Sequence, residues 1–267
     1  MRPTHLCSGL ILAAAGAVLA ATPAAAQTYS PWSFGATVGQ DVAVGGDVIS
    51  QANSASLNLN TLNSNLTGSG RLAMRGTTWD EAYENALNVT VEVRYASTDF
   101  SEFFGAVTYA QADASENVVV GCLVTTVPNC ATTLTGSFSD FRQIGLEAGY
   151  RQWFGFSLLG DTIKPYFAVR GGLVHTDEIR FRVNAGAAGG LGDWNLYEEG
   201  WTAMIGADVG ATYAISQNAE IGGEIGVRYT TSLSDDDSDF GALGLANIND
   251  ESERLSVPVS VRLNAVF

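Results

Sequence analysis

One histidine is the first candidate for catalysis in this chain. His175 is the single histidine after residue 26, and Thr176 and Asp177 follow it. Histidine works as a general acid or base near neutral pH, but it needs a nucleophile or a second acid within reach. No serine stands two positions from His175, and the chain has neither a glycine-rich phosphate loop nor clustered metal-ligand spacing. We therefore expect no catalytic residue, no cofactor and no enzymatic activity.

A second candidate is an acidic stretch near the C-terminus. It contains seven carboxylates and no basic residue among them, namely Asp235, Asp236, Asp237, Asp239, Asp250, Glu251 and Glu253. The first aspartates have the spacing of the early ligands of a calcium loop, but Phe240 stands where that loop requires glycine. Ala246 stands where it requires the closing glutamate. This excludes an EF-hand and favours a solvated acidic loop, with a loose divalent-cation site as the alternative. We assign no metal ligand.

The start of the chain is typical of an exported protein. Residues 1–26 contain Arg2, an apolar run over residues 10–21, and three alanines that end at Ala26. This layout predicts a secretory signal peptide. We expect cleavage after Ala26, so that residues 27–267 form one mature domain.

Two cysteines follow the predicted signal peptide. Cys122 and Cys130 are eight positions apart. Because exported proteins pass through an oxidising compartment, we predict a disulfide between them.

The mature segment is strongly acidic, and its cations are almost all arginines. Residues 27–267 contain 12 basic and 28 acidic residues, a formal charge of −16, and Lys164 is the only lysine. This charge disfavours a nucleic-acid partner. Arginine suits charges that are held in bidentate pairs, whereas lysine suits a solvated surface.

Many of these charges recur within stretches of alternating apolar and polar residues. Such alternation predicts β-strands with one apolar face. The apolar faces of eight such stretches begin at Trp32, Leu87, Phe103, Ile144, Phe167, Trp201, Ile221 and Leu255. The opposite faces contain isolated charges, namely Glu92, Arg94, Glu147, Arg151, Arg170, Asp208, Glu224, Arg228, Arg254 and Arg262. This composition is typical of a barrel lumen. We predict that the charges pair across the interior, with Glu147–Arg170 and Glu224–Arg262 as the preferred couples.

The last predicted strand, residues 254–267, has an entirely apolar face that ends on the terminal Phe267. This ending resembles the closing strand of bacterial outer-membrane β-barrels, and the resemblance implies that Phe267 is a signal for the barrel assembly machinery. Pattern and length together resemble the small barrels of the OmpA and OmpX type. The resemblance implies an all-β, antiparallel up-and-down transmembrane barrel in the bacterial outer membrane, in contact with its lipids and lipopolysaccharide.

The predicted connections alternate in length. Three are short, over residues 96–102, 154–164 and 214–219. Four are long, over residues 41–86, 113–140, 177–200 and 231–253. Small bacterial barrels have short periplasmic turns and long external loops. We predict eight strands, or ten if residues 71–77 and a neighbouring segment also enter the wall.

Aromatic residues at the strand ends support this arrangement. Tyr95, Tyr150, Tyr213 and Phe267 end alternate strands, which predicts one interfacial girdle, and Tyr109, Trp201 and Tyr229 predict the opposite girdle.

Two further expectations concern the long connections. Residues 57–66 are rich in asparagine and serine, which indicates a mobile segment. Ile179, Phe181 and Val183 keep the outward parity of the fifth strand, which predicts that this strand extends beyond the bilayer.

The sequence thus predicts an outer-membrane barrel with a structural or surface-contact role that depends on four external loops, whose partner it does not identify. A narrow, porin-like ion channel is the first alternative. A barrel enzyme that modifies lipid A is the second.

Overall fold

The computed structural model describes residues 31–125, 130–156, 158, 162–236 and 238–266. The predicted signal peptide, Asp237 and the predicted assembly signal Phe267 lie outside the described residues. The strands and helices are, in chain order, β1 (Trp32–Gly45), β2 (Asp47–Ile49), β3 (Ala52–Asn53), β4 (Leu57–Asn58), α1 (Leu59–Leu62), β5 (Ser69–Met74), β6 (Thr77–Thr78), α2 (Trp79–Ala82), β7 (Ala86–Thr98), β8 (Ser101–Ala112), β9 (Val118–Val124), β10 (Thr132–Phe138), β11 (Phe141–Trp153), β12 (Ile163–Thr176), β13 (Ile179–Asn184), β14 (Gly190–Tyr197), β15 (Gly200–Ser216), β16 (Ala219–Thr230) and β17 (Arg254–Val266). Two 3₁₀ turns, Gly186–Ala188 and Gly241–Leu243, complete the set.

Eight strands close into an antiparallel barrel. Their order around the wall is β1, β7, β8, β11, β12, β15, β16 and β17, and β17 pairs back onto β1. Each strand pairs with the next barrel strand along the chain, so the topology is up-and-down. The predicted eight-stranded all-β barrel is confirmed. The ten-stranded alternative is wrong, because β5 and β6 pair with strands outside the wall.

The outer surface of the barrel is apolar. Alternate residues of each strand point outward and stay exposed, as Ile205 (62%), Val209 (57%) and Val259 (51%) illustrate. Each square ångström of such surface costs about 25 cal/mol in water. A closed barrel has no unpaired strand edge, so its wall can stand in hydrocarbon. The predicted outward face is confirmed.

No helix among the described residues has both the length and the apolar character that a membrane-spanning helix needs.

Aromatic rings line both rims of this apolar surface. At the rim where β1 begins and β17 ends, Trp32 packs on Tyr95 with ring centroids 5.0 Å apart, and Phe103 packs on Tyr150 at 5.4 Å. Tyr95 and Phe103 are register partners, so the four rings form one row across adjacent strands. At the other rim, register pairs join Tyr109 to Ile144, Ile144 to His175, and His175 to Trp201. We call this second row the upper girdle.

The four long connections fold together over one end of the barrel. We call them the cap, which comprises residues 46–85, 113–140, 177–199 and 231–253. Its main sheet has the order β14, β13, β10, β9, β5 and β3, with β4 added onto β5. Residues such as Leu72, Val120, Leu123, Leu134 and Phe181 are buried in a hydrophobic core that the connections share. The cap is therefore a packed unit and not four separate loops.

One expectation about the cap is wrong, and a second stays a prediction. Ile179, Phe181 and Val183 do not extend the outer face of the barrel, because β13 pairs with β10 and β14 and buries all three side chains in the cap core. Residues 57–66, whose composition favours a mobile segment, include β4 and α1. Leu59 anchors this segment because it is 1% exposed and packs in the same core.

The two cysteines are neighbours in the cap. Cys122 in β9 and Cys130 before β10 are free thiols in the structure, so the predicted disulfide is not formed there. The nearby Cys130 side chain, together with burial, raises the pKa of Cys122 to about 11. A protonated thiol reacts poorly, and a disulfide forms only when an oxidant removes the hydrogens. The bond stays a prediction for the exported protein.

The outward face gives a first prediction. Val259→Arg places a charge in the middle of the lipid-facing belt, which should destabilise the folded barrel by about 2–4 kcal/mol. Val44 also points outward, is 53% exposed and lies near the cap end of β1, so Val44→Arg is the control at the edge of the belt and should cost about 0–1 kcal/mol. Denaturant titration in lipid vesicles, read by heat-dependent gel mobility, measures both. Equal losses would contradict the depth assignment.

The thiol pair gives a second prediction. Protein isolated from the cell envelope without reductant should contain the Cys122–Cys130 bond, which would contribute about 2.5 kcal/mol in the chain-entropy model. Intact mass after alkylation, with and without prior reduction, measures it. Cys122→Ser/Cys130→Ser should still give a folded barrel, since both residues lie in the cap. Two alkylated thiols in unreduced protein would show that the bond does not form.

Candidate functional site

The inward face of the barrel concentrates opposite charges. Five carboxylates and five guanidinium groups meet there, and we call them the lumen network: Glu92, Glu102, Glu147, Asp208, Glu224, Arg94, Arg151, Arg170, Arg228 and Arg262. The alternation of the strands sends these side chains inward because their neighbours in sequence face the lipid. The network carries no net formal charge.

One half of the lumen network lies towards the rim where β1 begins and β17 ends. Arg151 contacts both Glu102 and Glu92, with 3.2 Å between its Nη2 and Glu92 Oε1. Arg262 donates to Glu92 with both Nη1 and Nη2, and its Nη2 also lies 2.7 Å from Glu224 Oε2. Glu92 is therefore shared by two guanidinium groups from distant parts of the sequence, on β11 and β17.

The other half lies towards the cap. Arg170 Nη1 donates to Glu147 Oε2 at 3.0 Å, and Arg170 Nη2 lies 2.8 Å from Asp208 Oδ2. The second oxygen of Asp208 lies 2.7 Å from Arg228 Nη2. Arg170 Nη2 also lies 3.8 Å from Glu224 Oε1, which joins the two halves.

Burial makes this pairing necessary. Arg94, Arg151 and Arg262 are 2%, 1% and 0% exposed, and Glu92 is 0% exposed. An isolated charge in such surroundings is strongly disfavoured, so each needs a partner. Removing one partner from a buried pair costs about 3–5 kcal/mol because the other charge is left uncompensated.

Two inward aromatic rings fill the space between the charges. The guanidinium carbon of Arg151 lies 4.9 Å from the ring centroid of Phe104 and 5.0 Å from that of Tyr166. The Tyr166 hydroxyl donates to Glu224 Oε2 at 2.7 Å. Glycines make room for both rings, because a Cβ at Gly149 would collide with the Phe104 ring and one at Gly210 would lie 2.5 Å from the Tyr166 hydroxyl.

A small chamber separates the lumen network from the cap. Its volume is about 30 Å³, and Glu147 and Arg228 lie at its lower side. This is room for about one or two water molecules. Arg254 and Asp41 also line the chamber, with 3.0 Å between Arg254 Nη2 and Asp41 Oδ2. Arg254 lies 5.0 Å from the ring of Phe141, at the base of the cap.

The cap closes the mouth above this chamber. Tyr197 of β14 is 0% exposed, and its hydroxyl donates to Val48 O at 3.0 Å. Asn249 Nδ2 donates to Leu196 O at 2.8 Å. These bonds tie the first, third and fourth long connections together. Burial, reinforced by nearby acidic residues that include Asp235, raises the pKa of Tyr197 far above its ordinary value, so it stays a neutral donor.

Nine of the ten inward charges named from the sequence meet in the network, and Arg254 lines the chamber above it. Both preferred couples are at ion-pair distance. Sequence reasoning missed Glu102, Asp41 and Tyr166 because they fall at strand ends that it assigned to connections or left out of the strands. Their positions in the inward–outward alternation of the strands were the signal that could have found them. Glu102 precedes the outward Phe103, and Tyr166 precedes the outward Phe167, so both positions point inward.

The other sequence candidates lie elsewhere. His175 points outward in the upper girdle, where its ring lies 5.2 Å from that of Trp201. Within the described residues it has no hydrogen-bond or ion-pair partner that could activate it for catalysis. The acidic stretch lies in the cap, and no group of three or more His, Cys, Asp or Glu residues that the structure describes could hold a metal ion.

No protein-family model matches the chain, and no curated protein matches it. Among solved structures, Neisserial surface protein A is 15% identical, with 90% of this chain and 100% of that chain covered and a TM-score of 0.43. The outer-membrane protein OprG from Pseudomonas aeruginosa is 10% identical, with coverages of 90% and 97% and a TM-score of 0.39. The outer-membrane protease OmpT from Escherichia coli is 11% identical, with coverages of 91% and 99% and a TM-score of 0.40. Because its antiparallel wall is closed and its exterior is apolar, the chain is a small eight-stranded β-barrel of the outer-membrane type.

Proposed function

We propose that this protein is a non-conducting barrel of the bacterial outer membrane that presents its cap outside the cell as a contact surface. The observation that carries the proposal is the occupied lumen. Paired side chains fill the interior, and the folded cap covers one mouth. The contact surface is then the part of the protein that is free to act.

The geometry of the lumen supports a closed barrel. Eight strands give an interior that is just wide enough for inward side chains to fill. Here Arg170 crosses the middle of the interior with contacts to Glu147, Asp208 and Glu224. An ion would have to displace such pairs, and each buried charge that loses its partner costs several kcal/mol.

Loop length and charge support the external placement of the cap. Bacterial barrels have long loops on the cell exterior and short turns in the periplasm. The four cap segments contain 19 acidic and 4 basic residues, a formal charge of −15. Potentials at specific interfaces are complementary, so the partner that fits this surface best is a basic one.

A barrel with a sealed lumen gives a conductance prediction. The purified protein in a planar bilayer should produce no discrete openings. Tyr166→Ala/Arg170→Ala removes two large side chains from the middle of the lumen and takes away the ion pair between Arg170 and Glu147, so it should produce small, cation-selective openings.

Arg182→Ala provides the control, because Arg182 is an exposed cap residue whose loss leaves the lumen intact. It should be silent. Insertion of each protein is checked by recovering the heat-modifiable band from the same vesicles. Large, stable openings of the unmodified protein would overturn the non-conducting role and favour a pore.

The external placement of the cap gives a labelling prediction. In a Cys122→Ser/Cys130→Ser background, Glu199→Cys in the cap should react with a membrane-impermeant maleimide on intact cells. Gln217→Cys, at an exposed position in the short turn between β15 and β16, should react only after the outer membrane is permeabilised. Gel-shift quantification of labelled protein measures both. The reverse pattern would place the cap in the periplasm and remove the proposed contact role.

A further inference from the structure

A cleft opens where the cap overhangs the outer wall of the barrel. Its volume is about 470 Å³, and its polar lining consists of Gln40, Asp80, Tyr83, Glu84, Asn85 and Ser115. Gln40 belongs to the outer face of β1, and the other five residues belong to the cap. The backbone N–H of Glu84 donates to Asp113 O at 3.0 Å, and that of Ser115 donates to Ala82 O at 2.8 Å. These bonds fix the two cap segments that form the roof.

The cleft lies just above the apolar belt on the side of β7 and β8, whereas on β1 the outward face continues beyond Gln40 to Val44. Gln40 pairs in register with Leu87, and Leu87 pairs with Gln111. The next outward row below them contains Tyr109 of the upper girdle, which pairs with Val89. Two residues along a strand span roughly 6–7 Å. The opening of the cleft is therefore at the level where lipid headgroups meet the barrel wall.

Five of the six polar side chains of the cleft are not committed to other contacts, whereas the ring of the sixth, Tyr83, packs on Trp79, Phe138 and Phe141 in the cap core. The carboxylates of Asp80 and Glu84 have no ion-pair or hydrogen-bond partner among the described residues, and the same holds for the side chains of Gln40, Asn85 and Ser115. The neighbouring Glu81 differs, because Arg75 Nη2 lies 2.7 Å from its Oε2. Tyr83 is 6% exposed, and its buried hydroxyl has no hydrogen-bond partner within the part of the chain that the structure describes.

The charge of the cleft selects the class of ligand. Two uncompensated carboxylates repel a bare phosphate or sulfate, and they do not form a group that could hold a metal ion among the described residues. A primary ammonium group has three donors and no acceptor, which suits carboxylate and carboxamide oxygens. The amide nitrogens of Gln40 and Asn85 can donate to a phosphate attached to such an amine.

We propose that this cleft binds the headgroup of a membrane lipid that bears a primary ammonium group. Asp80 and Glu84 contact the ammonium, Gln40 and Asn85 contact the adjoining polar groups, and the acyl chains lie along the apolar wall below Gln40. This inference rests on the outer-membrane placement of the proposed function, but it does not depend on whether the lumen conducts.

The test uses native mass spectrometry of the full mature protein in detergent. Phosphatidylethanolamine is the amine-bearing probe, and phosphatidylglycerol at equal concentration is the probe without an amine. We expect one phosphatidylethanolamine to be retained with at least about tenfold preference, the effect of one to two charge-assisted contacts. Equal retention of the two lipids by the unmodified protein would overturn the proposal without any variant.

Matched variants locate the site. Asp80→Asn/Glu84→Gln should reduce the preference to about one, whereas Glu198→Gln/Glu199→Gln removes the same charge from another part of the cap and should leave it unchanged. Heat-dependent gel mobility verifies that both variants fold. Loss of the preference in both variants, or in neither, would overturn the assignment to the cleft.

Two added components test other occupants. Free ethanolamine at the lipid concentration should not displace phosphatidylethanolamine, and displacement would assign the cleft to a soluble amine. Calcium should not reverse the preference, and retention of phosphatidylglycerol only with calcium would assign it to a cation-bridged anionic lipid. Either outcome would contradict the proposal that the cleft binds a lipid ammonium group. Neither outcome would change the labelling and conductance results.

Discussion

Backbone hydrogen bonding in a medium without water is the constraint on which this structure depends. A lipid-facing strand must pair on both edges, so the sheet closes and β17 returns to β1. Closure fixes the alternation of side chains around the whole wall, because a slip of one residue would exchange the two faces. The charges on the spanning strands are thereby sent to the interior, and the lumen network is a consequence of the wall.

The interior then has to satisfy charges that cannot reach bulk water. Guanidinium groups suit this task because one arginine can contact several carboxylates, as Arg170 does with three of them. The rings of Phe104 and Tyr166 keep water out of the same layer, and Gly149 and Gly210 leave the space for them. Pairing and packing are coupled here, so a substitution at either glycine would disturb the charges as well as the rings.

The sequence predicted the barrel well because each spanning strand repeats one local pattern over many residues. Glu147 and Arg170 could be paired in advance because they lie inward on adjacent strands. Glu102 and Asp41 were missed because each lies at a strand end that the sequence analysis assigned to a connection. The cap was not predictable in the same way. The alternation of Ile179, Phe181 and Val183 is the same whether the apolar face meets lipid or a core. Only the pairing of β13 with β10 and β14 decides that these side chains enter the cap core.

The distribution of charge connects the two parts of the molecule. The cap has a formal charge of −15 out of −16 for residues 27–267, whereas the lumen network is neutral. A buried network must balance its charges because it cannot be screened by solvent, but an exposed surface is screened within about 8–10 Å at physiological salt. The excess of carboxylates can therefore accumulate only on exposed surface, and most of it lies in the cap. Most of those carboxylates are solvated, but Asp80 and Glu84 lie beside the lipid-facing wall, where screening is weaker and the attraction for a cationic headgroup is correspondingly stronger.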